Sequence, residues 1–379
     1  MRILIAPDKY KGSLSATSVA DAMTRGARKV HPDASFSIRP AADGGEGTLD
    51  AFVVATGGRV HDLTVPGPLG ASIVARFALL YDDTAIIEMA DAAGLSLVEP
   101  DPASAARSDT AGVGRLMVAA ADAGARRIVV GVGGSASSDG GTGAAREIGW
   151  RFLDDGGAGL PPGGVALADL ARIEGPREPF QPEVIGACDV DNPLVGSSGS
   201  ARVFGPQKGA DEDTVARLEE GLDRLAEVIR KDLGLDISVV PHGGAGGGMG
   251  AGLVAFFGGT LRPGPELLAE STGLRSNIDD ADLVITGEGR LDDSSLRGKA
   301  PVAIARMARS AGTPCVAVAG DLRLERQQVK KSGFVDAVGL IQSGGASMAD
   351  SDPERAIEKA TEGILRKRLE RKEGRTFRK

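Results

Sequence analysis

A doubly wound α/β domain assembled from both ends of the chain, with a mixed α/β domain inserted between them, is what this sequence predicts. Three observations carry that prediction. Short apolar runs alternate with helical patterns at the start, the same alternation returns after about residue 272, and the stretch between changes to alternating strands and turns. The predicted domains are residues 1–57 together with 273–379, and residues 58–272 as the insertion. An active site is expected in the cleft between them.

"RILIAP" is an apolar run stopped by proline, so it reads as a strand. In "SLSATSVADAMTRGARKV" the residues Val19, Met23, Ala27 and Val30 recur at helical spacing, and "ASFSIRPAAD" repeats the pattern of strand then polar loop. A helix opening at "GTLDAFVVATGG" ends where Gly57 and Gly58 give a stop signal. From "RVHDLTVPGPLGASIVARFALLYDDTAIIEMA" an antiparallel meander is expected, its runs separated by Pro-Gly and Asp-Asp turns. "RRIVVGVGG" and "EVIGACDV" are further strands, and Val215, Leu218, Leu222, Leu225, Ile229 and Leu233 mark an amphipathic helix. "ADLVITGEG", a helix from Pro301, "TPCVAVAGD" and "VDAVGLIQ" before a final helix restore the first rhythm. The basic tail "RKRLERKEGRTFRK" reads as a frayed, solvated helix end.

Composition narrows the function. Glycine, 55 of 379 residues, is roughly twice the usual ~7%, and the excess is clustered in "GVGGSASSDGGTG" and "HGGAGGGMGAG". Clustered glycine points to backbone approaching a ligand. Two cysteines and three histidines show no zinc spacing. A net charge of −8 argues against non-specific binding to nucleic acid or anionic membranes. "MRILIAP" has too short an apolar run for a signal peptide and no run reaches membrane-spanning length, so a cytoplasmic protein is expected.

"TGEGRLDDSSLRGKAP" holds a Gly-Lys pair before a helix, but a phosphate loop needs glycine five residues before Gly298, and that position is Asp293. A Walker-type nucleotidase is therefore not expected. In an open parallel sheet the loops after the strands share one edge, where ligands bind. Those loops bring Asp8, Lys9, Lys11, Ser13, Asp43, Gly44, Gly45, Glu46, Thr286, Gly287, Glu288, Asp292, Ser295, Lys299 and Asp321 to one rim. Carboxylates bind a hard cation, lysines offset phosphate charge, and glycines let N–H groups approach, which is the chemistry of Mg²⁺ and phosphates. Asp43, Glu46 and Asp292 are candidate Mg²⁺ ligands among these carboxylates, whose separate roles the sequence does not distinguish. "RRIVVGVGGSASSDGGTGAAREIG" departs from the dinucleotide pattern, with Ala136 at its last glycine, yet Gly133, Gly134, Ser135 and Ser138 offer an anion site. Asp139 is either part of it or a helix cap. Asp189, Asn192, Gln207 and Lys208 follow the next strand and suggest substrate contact, with Gly246 and Gly247 offering backbone donors. Cys188 reads as a small core residue and His242 as a turn residue.

Seven segments in order, "APDKYKGSLSA", "ADGGEGT", "GVGGSASSDGGTGA", "CDVDNPLVGSSGSA", "FGPQKGA", "HGGAGGGMGAG" and "DLVITGEGRLDDSSLRGKAP", make the chain resemble the class I glycerate kinases of bacteria. The resemblance covers most of the chain. It implies a Rossmann-type or flavodoxin-like domain with an inserted mixed α/β domain, and transfer of a phosphoryl group from ATP to D-glycerate with Mg²⁺, at the 2-hydroxyl. A monomer or homodimer is expected. Base and metal duties would fall to Asp8, Asp43, Glu46, Asp189, Glu288 and Asp292, while Lys11, Lys208 and Lys299 would hold phosphates or the glycerate carboxylate. Lys9 and Tyr10 stand where the family usually has Ser and Phe, and Ser294 where it has Gln. The alternatives are phosphorylation at the 3-hydroxyl or of another small hydroxy acid, a non-catalytic sugar-acid or nucleotide sensor using the same two-domain cleft, which would not need carboxylates beside lysines, and another small-molecule kinase or phosphatase on this scaffold.

Overall fold

A computed structural model describes residues 1–10, 12–41, 47–297, 299–342 and 351–376. These form the strands β1 (Arg2–Ile5), β2 (Ser35–Ile38), β3 (Arg59–Pro66), β4 (Ser72–Leu79), β5 (Thr84–Glu88), β6 (Arg127–Gly131), β7 (Arg151–Leu153), β8 (Arg172–Glu174), β9 (Glu183–Cys188), β10 (Thr260–Pro263), β11 (Leu283–Thr286), β12 (Arg290–Leu291), β13 (Cys315–Ala319), β14 (Asp321–Leu322) and β15 (Asp336–Gly339). The chain divides into two compact units. One comprises Met1–Ala42, Asp50–Ala55 and Pro265–Lys379, the other Asp43–Leu49 and Thr56–Gly264.

The first unit is built on a five-stranded sheet in the order β15-β13-β11-β1-β2, with every pairing parallel. Within the unit that is the flavodoxin-like order, in which the direction of winding reverses between β1 and β11. Strand alternation buries both faces. Leu4, Val284 and Ala317 join one apolar cluster with Ile304 and Ala308, while Ile3, Ile5, Ile285 and Val316 join another with Val19, Met23 and Ile357. Continuous apolar runs such as "LVIT" and "CVAVA" follow from that two-sided burial. The helix Ala16–Val30 is started by Ser15, whose hydroxyl accepts the Ser18 N–H at 3.1 Å. Its Arg25 and Lys29 pair with Glu354 and Glu358 of the helix Pro353–Thr376.

The second unit contains a six-stranded sheet in the order β10-β9-β6-β5-β4-β3. β5, β6, β9 and β10 run parallel and β3, β4 and β5 form the antiparallel meander. The helix Glu212–Leu233 buries Leu218, Leu222, Leu225 and Ile229, is capped by Asp211 and ends at Gly234 in left-handed conformation. Trp150 donates its indole N–H to the Phe256 carbonyl at 3.1 Å and meets that ring edge-on. No helix among the described residues is long and apolar enough to cross a membrane.

Candidate active site

In the first unit the carboxyl ends of β1 and β11 lie side by side, and their backbones stay bonded past the sheet. The Ala6 N–H donates to Ile285 and the Asp8 N–H to Gly287, each at 2.8 Å. Asp8 and Glu288 thereby arrive together at the reversal point with only 7% and 6% exposure. Asp8 accepts the Lys9 N–H at 2.7 Å, and the Lys299 ammonium stands 3.6 Å from Glu288. Burying carboxylates in a loop is costly unless they are bonded or act on a ligand. Thr286 is fully buried and spends its hydroxyl on the Ala6 carbonyl at 2.6 Å, while a side chain at Gly287 would collide with the Val318 carbonyl. These two residues therefore brace the neighbouring strand ends.

Tyr10 anchors the loop after β1. Its buried hydroxyl donates to the Val318 carbonyl at 2.8 Å, a bond that phenylalanine could not make. Burial, and secondarily the charge of Glu288, raises the phenol's pKa well above its ordinary value, so Tyr10 stays neutral. Ser13 is exposed, its N–H on the Tyr10 carbonyl. Asp292 accepts the Ser294 hydroxyl at 2.6 Å and the Ser294 N–H at 2.9 Å. Burial pushes its carboxyl up, but these bonds and the nearby Lys299 outweigh that and leave it below the usual range, hence ionised. Ser294 thus supports Asp292, and buried Ser295 receives the Asp292 N–H. The expected site residues Lys11, Asp43, Gly44, Gly45 and Glu46 lie outside the described residues.

In the second unit the loop after β6 holds Gly133, Gly134, Ser135, Ser138 and Asp139, with both serines and Asp139 buried. The Asp139 carboxylate accepts from the Thr110 N–H, the Thr110 hydroxyl, the Gly141 N–H and the Gly143 N–H. Those internal donors fold the loop. Thr110, 29 residues earlier, went unnoticed in the sequence because no local pattern links it to Asp139. Lys208 is also buried, its ammonium 2.5 Å from the Ser137 carbonyl, 3.1 Å from the Ser135 hydroxyl and 3.5 Å from that of Ser138. Burial lowers its pKa to about 8, partly opposed by Asp139.

Gly246 and Gly247 back this loop: a side chain on Gly247 would strike the Ser137 carbonyl, and one on Gly246 the Met89 sulfur and the Val132 carbonyl. Close backbone packing accounts for glycine there. After β9, Asp189 is half-buried, Asn192 donates to the Ser198 carbonyl at 2.8 Å, and Gln207 is exposed. The Cys188 thiol is pushed up to about 12 by burial and then by Asp189, so it is no nucleophile. The His242 ring bonds the Val190 carbonyl through Nδ1 at 2.6 Å, from a left-handed backbone that marks a turn.

Comparison with known proteins identifies the family. The model of the glycerate kinase family matches residues 3–368. A glycerate kinase of Bacillus subtilis strain 168 is 42% identical over 357 residues, covering 93% of each chain. The glycerate 2-kinase of Escherichia coli K12 is 43% identical over 342 residues, 89% of this chain and 90% of that one. A crystal structure of a protein assigned as glycerate kinase 2 in Salmonella typhimurium LT2 superposes with a TM-score of 0.83 at 38% identity, over 98% of this chain and 99% of the other. With a family model spanning nearly the whole length and relatives above 40% identity across it, this chain belongs to the glycerate kinase family.

Proposed function

We propose that the chain transfers the γ-phosphoryl group of ATP to D-glycerate, at its 2-hydroxyl, giving 2-phospho-D-glycerate and ADP. The observation that carries the reading is the pair of buried carboxylates, Asp8 and Glu288, at the point where the five-stranded sheet reverses. In the reaction a hydroxyl oxygen bonds to the γ-phosphorus, the bond to the β-phosphate oxygen breaks, and the hydroxyl proton passes to a carboxylate. Asp8 and Glu288 are the candidates for that base, and Lys299 holds Glu288 while facing anionic substrate. The site requires positive charge to offset the phosphates, which Lys11 and Lys299 supply in this reading. Lys208, through the Ser135–Ser138 loop, sets the loop's shape.

Magnesium belongs to the same proposal. Among the described residues no group of three or more acidic, histidine or cysteine side chains is gathered to hold a metal. Magnesium is a hard cation that takes carboxylate oxygens alongside substrate phosphates and keeps several waters. Asp292, ionised, would be one such ligand, with Asp43 and Glu46 the others; the ion would neutralise phosphate charge as the bond breaks. The reading also places the enzyme in the cytoplasm as a monomer or homodimer.

The test mixes purified protein, D-glycerate and ATP, follows ADP release, and passes the product to enolase with and without phosphoglycerate mutase. Immediate enolase turnover is expected. A signal that appears only with the mutase means phosphorylation at the 3-hydroxyl, and ligand binding with no ADP release means a sensor.

A further inference from the structure

The rim of the five-stranded sheet carries a second polar cluster, built on Asp321. β12 and β14 pair in parallel, Arg290 opposite Asp321 and Leu291 opposite Leu322. The Gly320 N–H donates to the Glu288 carbonyl at 3.1 Å, the Asp321 N–H to Gly289 at 2.9 Å, and the Arg323 N–H to Leu291 at 2.9 Å. The loops after β11 and β13 are thus one backbone-bonded platform at the carboxyl edge of the sheet, continuous with Glu288.

Two guanidinium groups converge on one carboxylate oxygen there. Arg323 donates from Nε to Asp321 Oδ2 at 2.7 Å, and the Nε of Arg290 stands 3.7 Å from the same atom. The other oxygen accepts Gln342 Nε2 at 2.9 Å, while the Gln342 carbonyl oxygen takes the Leu322 N–H at 3.2 Å. The hydrogen bond from Gln342, followed by those from Arg323, holds the Asp321 carboxyl below the usual range, so it is ionised. One negative charge faces two positive ones. Both arginine side chains remain nearly 60% exposed, and among the described residues no acceptor meets their Nη groups.

Bracing of the loop uses only the Nε edges: Arg323 bonds Asp321 at 2.7 Å, and Arg290, at 3.7 Å, lies beyond hydrogen-bond distance from it. Exposed pairs of this kind contribute little to stability. A guanidinium instead suits a tetrahedral phosphate, which it meets with two parallel N–H donors, and an arginine already held by a carboxylate loses less freedom on binding. We propose that Arg290 and Arg323 together grip the phosphate oxygens of a ligand of the reaction: the polyphosphate of the nucleotide or the phosphoryl group of the product. The proposal rests on the phosphoryl-transfer reading above.

The first experiment uses the unaltered protein. Arginines are modified with phenylglyoxal, and the modified peptides are mapped in the presence of inorganic tripolyphosphate, ATP, 2-phosphoglycerate or D-glycerate. Protection of Arg290 and Arg323 by tripolyphosphate and ATP is expected for a nucleotide site, protection by 2-phosphoglycerate alone for a product site, and none from D-glycerate in either case. Equal modification with and without all three phosphate compounds overturns the proposal. The second experiment compares Arg290→Gln and Arg323→Gln in steady state. Loss of charged hydrogen bonds to phosphate raises the KM for ATP, or for 2-phosphoglycerate in the reverse direction, by about tenfold or more, with the KM for D-glycerate unchanged. A rise confined to D-glycerate overturns the proposal. Should the unaltered protein show no turnover of ATP with D-glycerate, the proposed reaction fails, while the protection experiment still decides whether the arginine pair binds phosphate.

Discussion

Lys208 is the residue whose surroundings yield the sharpest pH prediction. In the folded chain burial brings its pKa to about 8, against an ordinary value of 10.5. Between those two values the unfolded chain holds a proton that the folded chain has released, so Lys208 makes stability rise with pH across that window, by an amount on the order of 3 kcal/mol when complete. Cys188 acts in the opposite direction at higher pH, since its folded thiol keeps its proton to about 12. Comparing the protein with Lys208→Met isolates the lysine. Urea melts at about pH 7.5 and about pH 9.5 should show the unaltered protein gaining stability relative to the variant at the higher pH. Parallel behaviour of the two proteins would exclude the buried, proton-releasing lysine. Such a role could not be seen in "FGPQKGA". The sequence identifies a lysine after a Gly-Pro turn, but its burial against Ser135, Ser137 and Ser138 depends on residues about seventy positions away.

At the scale of elements, much was legible. Strands buried on both faces are nearly continuous apolar runs, so "LVIT" and "CVAVA" identify themselves, and the loops that follow them inevitably share an edge when the strands are parallel. Asp8 and Glu288 each follow one of two paired parallel strands, β1 and β11, and so come to the same edge. What the glycines do was less legible. "HGGAGGGMGAG" suggests backbone aimed at a ligand, whereas Gly247 sits with φ near 71° and its missing side chain makes room for the Ser137 carbonyl. A glycine that admits a ligand and one that admits another loop look the same in sequence. Gly247→Ala combines left-handed strain with overpacking and should cost about 2–4 kcal/mol. An unchanged denaturation midpoint would remove close packing as the reason for this glycine. The Tyr10–Val318 and Thr110–Asp139 bonds stayed hidden for the same non-local reason, joining residues 308 and 29 positions apart.

Across the whole molecule, acid outweighs base by a net charge of −8, yet both proposed substrates are anions. A chain of that charge needs local cations where ATP and glycerate bind, and the proposed magnesium is the largest of them. Removing divalent metal with a chelator should abolish glycerate phosphorylation, and adding back Mg²⁺ or Mn²⁺ should restore it. Full turnover after exhaustive metal removal would leave the ionised Asp292 without the duty proposed for it.

The indole of Trp150 gives the chain an unplanned optical label. It is the single tryptophan of the sequence, and it lies in the unit of the six-stranded sheet. Tyrosine is nearly as scarce: Tyr10 belongs to the other unit and Tyr81 shares the unit of Trp150. Emission excited at the red edge of indole absorption therefore reports on one unit and is blind to the other, whereas circular dichroism sums over both. Melting followed by the two signals separates a concerted collapse, in which the curves coincide, from sequential loss, in which they part. The single tryptophan makes one unit spectroscopically addressable without adding a dye, and the other is read by difference.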